Sequence, residues 1–336
     1  MPPSTLEIVE VRADDPAAVD AAFEIVNESL RADVPGMPPN CRYQYDMQFV
    51  VPPPRGDRHF FLARHGDEPA GVAQLDLPRH DNLDKAHIDV QVRPAHRRRG
   101  IGRALYARAA ATARADGRTR VVGFSPVAPA PDGFAGSAGL SNGLLDARRR
   151  LLLAEVDEQE LQRMYAEGLA RSAGYALVQW GDTLPEQYVE DLAALDSSFL
   201  VETPMGELDY EPEQVDAAQI RLQYAAFTAW GSRRYEAGLV HEATGHLVAW
   251  TAMRVLRSVD WHCSQMITLV HPAHRGRRLG VVAKVANLRA MRAAEPAVTT
   301  IDTFNAADNP YMIAINEAMG FRLVDHWANW QGPLRS

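Results

Sequence analysis

The sequence predicts two tandem domains of one α/β (α+β) fold, and three observations carry that expectation. First, 336 residues exceed the usual size of a single core, so two ordinary domains are favoured over one large one. Second, residues 92–102 (VRPAHRRRGIG) can be laid over residues 270–280 (VHPAHRGRRLG) with seven of eleven positions identical, an internal repeat rich in Pro, His, Arg and Gly. Third, each copy follows a strand-like segment and opens a helix-like one.

Residues 87–92 alternate polar and apolar, which predicts a strand, and residues 266–270 form a β-prone run. Downstream, residues 102–115 and 280–293 place apolar side chains at helical spacing, as in Ile101, Ala104, Leu105 and Ala109. Further strands are expected at 6–11, 59–64, 70–77 and 120–124 in the first half. The second half offers 175–180, 234–239, 247–255 and 299–304. Helices are expected at 16–30, 158–171, 185–196 and 309–319. Residues 125–143, rich in Pro, Gly, Ser and Ala, read as an irregular loop or a short helix between loops. The strand-like residues 149–153 give way to Asp157-Glu158 and a new helix, so the seam is placed between domains 1–155 and 156–336.

Composition narrows the class. The chain is 46% hydrophobic and 23% charged, with no apolar run of membrane-spanning length and no basic-then-apolar leader. It holds only Cys41 and Cys263, so no disulfide framework is expected and a cytoplasmic location is. A net charge of −8 argues against nucleic-acid or membrane partners and suits a cationic small molecule.

The spacing R-x-x-G-x-G, present as Arg97-Arg98-Arg99-Gly100-Ile101-Gly102 with Arg103 following, puts permissive backbone between a strand and a helix start. Helix-start amides and the helix dipole attract anions, and glycines let phosphate oxygens approach. It is neither the dinucleotide fingerprint nor a P-loop.

At these residues the sequence resembles the GNAT superfamily of N-acetyltransferases, whose pyrophosphate motif is Q/R-x-x-G-x-G/A. The resemblance spans nearly the whole chain, and the nearest layout is the tandem two-domain type of actinobacteria that includes mycothiol synthase-like enzymes. It implies a mixed, mostly antiparallel sheet flanked by helices in each domain, and acetyl-CoA as co-substrate. The amides of residues 98–103 would hold the pyrophosphate, and the strand end at Val90 to Val92 the pantetheine arm. The second copy, with Leu269, Val270, Arg275, Gly276, Arg277, Arg278, Leu279 and Gly280, departs from the motif: Arg278 stands at the first glycine, and Gly276 lies two residues earlier. Its ending, residues 309–321, resembles the family's last helix. There Asn305 and Asn309 would anchor the cofactor side, and Asn316 stands where many relatives carry the Tyr that protonates the leaving thiolate.

For the acceptor amine, His87 and Asp89 share one strand face and could relay a proton; the repeat places Gln265 and Ile267 there in the second half. Tyr106 and Tyr311 are candidate acids for the thiolate. Cys263 beside His262 faces the opposite side of a strand and forms no dyad. His80, His87, His241, His246 and His326 lack metal-ligand spacing, so no metal is expected. The expectation is an acetyl-CoA-dependent N-acetyltransferase acting by direct transfer on a small-molecule amine, as a monomer or homodimer. Two alternatives stay open: an acyl-CoA-binding scaffold with degenerate chemistry, and a protein N-acetyltransferase.

Overall fold

The computed structural model describes residues 5–335. The first six strands are β1 (Leu6–Glu10), β2 (Gly56–His65), β3 (Glu68–Pro78), β4 (Lys85–Val92), β5 (Arg120–Pro126) and β6 (Ser141–Leu152). They are followed by β7 (Tyr175–Trp180), β8 (Ser232–His241), β9 (Leu247–Leu256), β10 (Val259–Val270), β11 (Thr300–Ala306) and β12 (Arg322–Pro333). The helices are α1 (Pro16–Asp33), α2 (Arg42–Met47), α3 (Ile101–Ala115), α4 (Pro129–Ser137), α5 (Glu158–Arg171), α6 (Val189–Ser197), α7 (Phe199–Glu202), α8 (Ala217–Ala229), α9 (Leu279–Ala294) and α10 (Pro310–Ala318). Residues 125–143, expected as an irregular loop or a short helix between loops, form the short helix α4, whereas α2, α7, α8 and β12 have no counterpart in the sequence reading.

Two units result. The N-terminal unit holds the described residues through Leu145, the segment Gly206–Tyr210, and the chain from Trp327 onward; the C-terminal unit holds Asp146–Met205 and Glu211–His326. In the N-terminal unit the strand order is β1-β2-β3-β4-β5-β12, antiparallel except for the parallel pair β4 and β5. In the C-terminal unit it is β6-β11-β10-β9-β8-β7, and again one pair, β10 with β11, is parallel. The last strand of each sheet comes from the other half of the sequence. Trp327 to Pro333 of β12 pair with β5, and Asp146 to Leu152 of β6 pair with β11.

Both faces of the N-terminal sheet are covered, which is why Phe60, Phe61, Leu62 and Ala63 run apolar without alternation. One face packs on α3 through Phe61, Leu75, Ile88 and Leu105. The other packs on α1 through Ile25, Phe60, Leu62 and Val72. Helix α1 starts at Asp15, whose carboxylate accepts from the Ala18 N–H at 3.0 Å, with Pro16 in the first turn.

In the C-terminal unit the β6 segment is held by charge as well as by its ladder. Arg150 makes a two-pronged pair with Asp302 at 2.6 and 2.7 Å, Arg148 reaches Asp302 at 3.4 Å and also pairs with Asp325, and His262 lies 3.2 Å from Asp302. Burial pushes the Asp302 carboxyl up, but its bonds to Arg150 and His262 outweigh that and hold it at about 2.

Candidate active site

The turn before α3 is built by two residues with positive φ, Arg98 at 62° and Gly100 at 82°. Gly100 is the N-cap of α3, and no side chain caps the first turn. A Cβ at Gly100 would meet no atom within 4 Å, so the backbone there is open to close approach beside a helix start whose first amides have no side-chain cap. Arg98, Arg99 and Arg103 are exposed around it. Gly102 faces back to the sheet, its virtual Cβ at ordinary contact distance from Phe134, Val92 and Val90.

The motif arginine has a different task from the one its position suggests. Arg97 donates from Nε to the Val92 carbonyl at 2.9 Å and forks onto Asp33 of α1 at 2.7 and 2.8 Å. The Val92 carbonyl also accepts from Ser29 Oγ at 3.2 Å. Arg97 therefore staples the turn to the strand and to α1, and its guanidinium is engaged within the protein.

Beside this turn β4 and β5 part. Their pairing runs from Lys85 with Arg120 to His87 with Val122 and then ends, although both strands continue. The gap opens at Asp89. Asp89 is half-buried and its carboxyl bonds to the Phe124 amide; burial first, and the neighbouring Asp76 second, push it up to about 6. Asp76 is clamped by Arg58 at 2.6 and 2.8 Å, and Gln74 donates to it at 2.9 Å. Burial also lowers His87, partly offset by Asp76, so the imidazole is neutral near pH 7.

His87 and Asp89 border a cavity of about 190 Å³, together with Val122, Gly123, Phe124, Leu208, Tyr210, Asn329 and Trp330. The sequence reading found the two β4 residues and missed the rest. Their only local signal was aromatic content, and nothing in the sequence ties residues 208–210 or 329–330 to β4.

The C-terminal unit reproduces the turn with its glycine displaced. Gly276 has φ 80° and Arg278 φ 56°, so the same two positions adopt the left-handed conformation and glycine has moved from the second to the first. Arg275 repeats the staple, donating to the Val270 carbonyl at 3.2 Å and to Glu202 at 2.5 Å. Leu279 and Gly280 are buried at the head of α9, while Arg277 is exposed. The pairing of β10 with β11 ends at Gln265, the repeat position of His87. Beyond it Leu269 is buried in an apolar cluster with Trp250, and Ile267 stands where Asp89 does in the first copy.

The remaining candidates lie elsewhere. Tyr106 packs edge-on to Phe134, ring centroids 6.1 Å apart, and burial raises its phenol. Tyr311 is 84% exposed at the start of α10. Neither borders the cavity. Asn309 caps α10 by accepting from the Met312 N–H at 3.1 Å, and buried Asn316 donates to Asn305 at 2.7 Å.

Residues 21–130 match the model of the acetyltransferase (GNAT) family. A solved tandem GNAT protein from the clavulanic acid biosynthesis pathway, without acetyl-CoA, is 29% identical, with 99% of each chain covered and a TM-score of 0.83. A GCN5-related N-acetyltransferase from Sphaerobacter thermophilus shares the fold at 13% identity, covering 98% of this chain and 96% of its own, with a TM-score of 0.64. So does a putative acetyltransferase from Pyrococcus horikoshii, at 14% identity, 98% and 89% coverage, and a TM-score of 0.55. No curated protein matches the sequence. Among the described residues no helix is long and apolar enough to cross a membrane. Residues 21–130 thus match the acetyltransferase (GNAT) family, and the chain as a whole is similar in fold, end to end, to a tandem GNAT protein.

Proposed function

We propose that the N-terminal unit transfers an acetyl group from acetyl-CoA directly to the amine of a small molecule. The observation that carries this reading is Asp89: the single carboxyl lining a cavity where the parallel strands part, half-buried and held at about 6. Above that pH it is ionised and able to take a proton from an acceptor ammonium or from the attacking nitrogen.

The turn fits a diphosphate, since its backbone is open at Gly100 and the first turn of α3 has no side-chain cap. Acetyl-CoA supplies the activated thioester. The α3 amides would hold its pyrophosphate, and the free edge of β4 beyond His87 would offer backbone groups to the pantetheine arm near Val90. The Val92 carbonyl is already taken by Arg97 and Ser29. Asp89 orients and deprotonates the amine. Backbone amides along the same free edge would stabilise the oxyanion formed when nitrogen attacks the thioester carbon; its collapse breaks the C–S bond, and coenzyme A leaves as a thiolate that takes up a proton from water, balancing the one passed from nitrogen to Asp89. The two phenols of the sequence reading have no part in this assignment, because neither reaches the cavity.

For the C-terminal unit we propose acyl-CoA binding without transfer. Its turn keeps the left-handed pair, but Ile267 stands at the position of the base.

The test follows thiol release from acetyl-CoA with a panel of amines. Asp89→Asn is expected to lower kcat/KM by about a hundred-fold or more, the usual contribution of a general base, while coenzyme binding persists. Full activity in Asp89→Asn would remove the assignment.

A further inference from the structure

One wall of the N-terminal cavity is contributed by a five-residue segment far from it in sequence. Gly206–Tyr210 belongs to the N-terminal unit, and its Leu208 and Tyr210 line the cavity together with His87 and Asp89. The segment is pinned at several points. The Glu207 N–H donates to the Gly143 carbonyl at 2.7 Å, the Asp209 N–H to Gln331 Oε1 at 3.0 Å, and Gln331 Nε2 returns a bond to the Glu207 carbonyl. Arg120 pairs with Asp209 at 3.1 Å. Gly206 takes φ 54° where a Cβ would lie 2.4 Å from the Gly143 carbonyl oxygen, so the backbone passes where no larger residue fits. The wall is fixed in place before any ligand arrives.

The charges of the cavity are one-sided. Among its lining residues Asp89 is the only carboxylate, no Lys or Arg is present, and His87 is held neutral by burial. The nearby cations are engaged: Arg58 with Asp76, and Lys85 with Asp84 at 2.9 Å while its ammonium sits 5.5 Å from the centre of the Tyr210 ring. A ligand carboxylate or phosphate would find no counter-charge on the lining. The rest is apolar and aromatic. Phe124 is 39% exposed although it stacks on Trp327 at 4.9 Å, leaving a ring surface uncovered. Trp330 donates its indole N–H to Ser125 Oγ at 2.9 Å, so it offers the cavity ring surface rather than a donor. The Tyr210 ring lies 6.2 Å from that of His87. A volume of about 190 Å³ is that of a small-molecule cavity rather than of a single water site.

We propose that the acceptor of this unit is a small monoamine with an apolar, aromatic body and no anionic group, and that Tyr210 and Leu208 select it. The inference rests on the acetyl-transfer reading for the word acceptor, but its content is a binding preference. The ammonium faces Asp89 and the flat body lies against Phe124, Trp330 and Tyr210, where aromatic contacts and cation–π attraction reinforce burial.

Binding and turnover are to be measured separately. Calorimetry of the full-length protein with 2-phenylethylamine, propylamine, putrescine and phenylalanine in the presence of coenzyme A reads the preference, and thiol release from acetyl-CoA reads transfer. Phenylethylamine is expected to bind about ten-fold or more tightly than each of the other three, the scale of one good aromatic contact or one unpaired charge. Tyr210→Ala is expected to collapse the phenylethylamine-to-propylamine affinity ratio by about ten-fold, and Tyr210→Phe, which keeps the ring, to restore it. Equal or tighter binding of phenylalanine or putrescine, or a ratio untouched in Tyr210→Ala, overturns the inference. Selective binding without acetyl transfer to any of the four supports the binding preference and counts against the reading of transfer.

Discussion

The carboxylate of Asp89 accepts the backbone N–H of Phe124 across the gap where β4 and β5 separate. A side chain thus replaces a ladder bond at the place where the sheet opens. The same bond lowers the carboxyl, while burial and Asp76 push it up.

That balance predicts a pH profile. With Asp89 at about 6, kcat/KM should rise through pH 6 and level off above it, because the base must be ionised. A rate–pH profile on the free enzyme checks this. A flat profile from pH 5 to 8 would exclude Asp89 as the base.

Asp89 also sets a stability prediction of opposite sense. Its folded value lies above the ordinary 3.8, so the folded state holds the proton more tightly, and stability falls as pH rises from about 4 through 6. Asp89→Asn keeps an acceptor for the Phe124 amide and removes the buried charge. It should stabilise the protein by up to about 3 kcal/mol at pH 8 and by almost nothing at pH 4, as read by denaturant unfolding at the two values.

The two turns predict separable coenzyme sites. Gly102 and Gly280 both have room for a Cβ at ordinary contact distance, so Gly102→Asp and Gly280→Asp chiefly add a negative charge at a helix start where an anion is expected. Because both positions face the sheet, each carboxylate also costs stability, and thermal unfolding must first show that both variants remain folded; in calorimetric titration with acetyl-CoA, folded Gly102→Asp should then lose binding to the N-terminal unit and acetyl transfer with it. Gly280→Asp should remove only a second binding event. Loss of all transfer in Gly280→Asp alone would move the chemistry to the C-terminal unit.

Lys284 on α9 stands at the repeat position of Tyr106 and is only 1% exposed, with its ammonium 5.8 Å from the centre of the Phe321 ring. Burial lowers it to about 7. Because the unfolded chain holds that proton up to about 10.5, stability is reduced most below pH 7 and recovers as pH rises toward 10. Lys284→Met should raise stability at pH 6 by on the order of 4 kcal/mol, with the gain shrinking toward pH 10 in thermal unfolding.

Asp302 is the opposite case. Held at about 2 by Arg150 and His262 against the cost of burial, it contributes stability that is present above about pH 4 and lost as pH falls toward 2. Asp302→Asn leaves buried Arg148 and partly buried Arg150 without their shared anion and should cost about 3–5 kcal/mol at pH 7. Urea unfolding of the variant checks it; a loss below 1 kcal/mol would mean the arginines find other partners.

Much of this protein was legible before any coordinates. The repeat, the turn between strand and helix, the α3 and α9 periodicity, and the placing of His87 and Asp89 on one strand face all follow from patterns with a local physical cause. Side chains alternate along a strand, apolar residues recur along a helix, and glycine permits left-handed backbone. The sequence also misled locally. Arg278 at the first motif glycine reads as a broken turn, yet Gly276 and Arg278 reproduce the left-handed pair of Arg98 and Gly100, since the fold needs two such residues and tolerates either order. Arg97, the first position of the motif, ties β4 to α1, which its place in the motif does not reveal.

What only the tertiary structure decided is which distant segments meet. Alternation tells which face of a strand is buried but not which strand lies beside it, so nothing local could say that β12 completes the sheet of β5, that β6 completes the sheet of β11, or that residues 206–210 close the cavity over Asp89. Those pairings depend on backbone ladders and packing between residues roughly 120 to 210 positions apart, and the shape of the cavity depends on them.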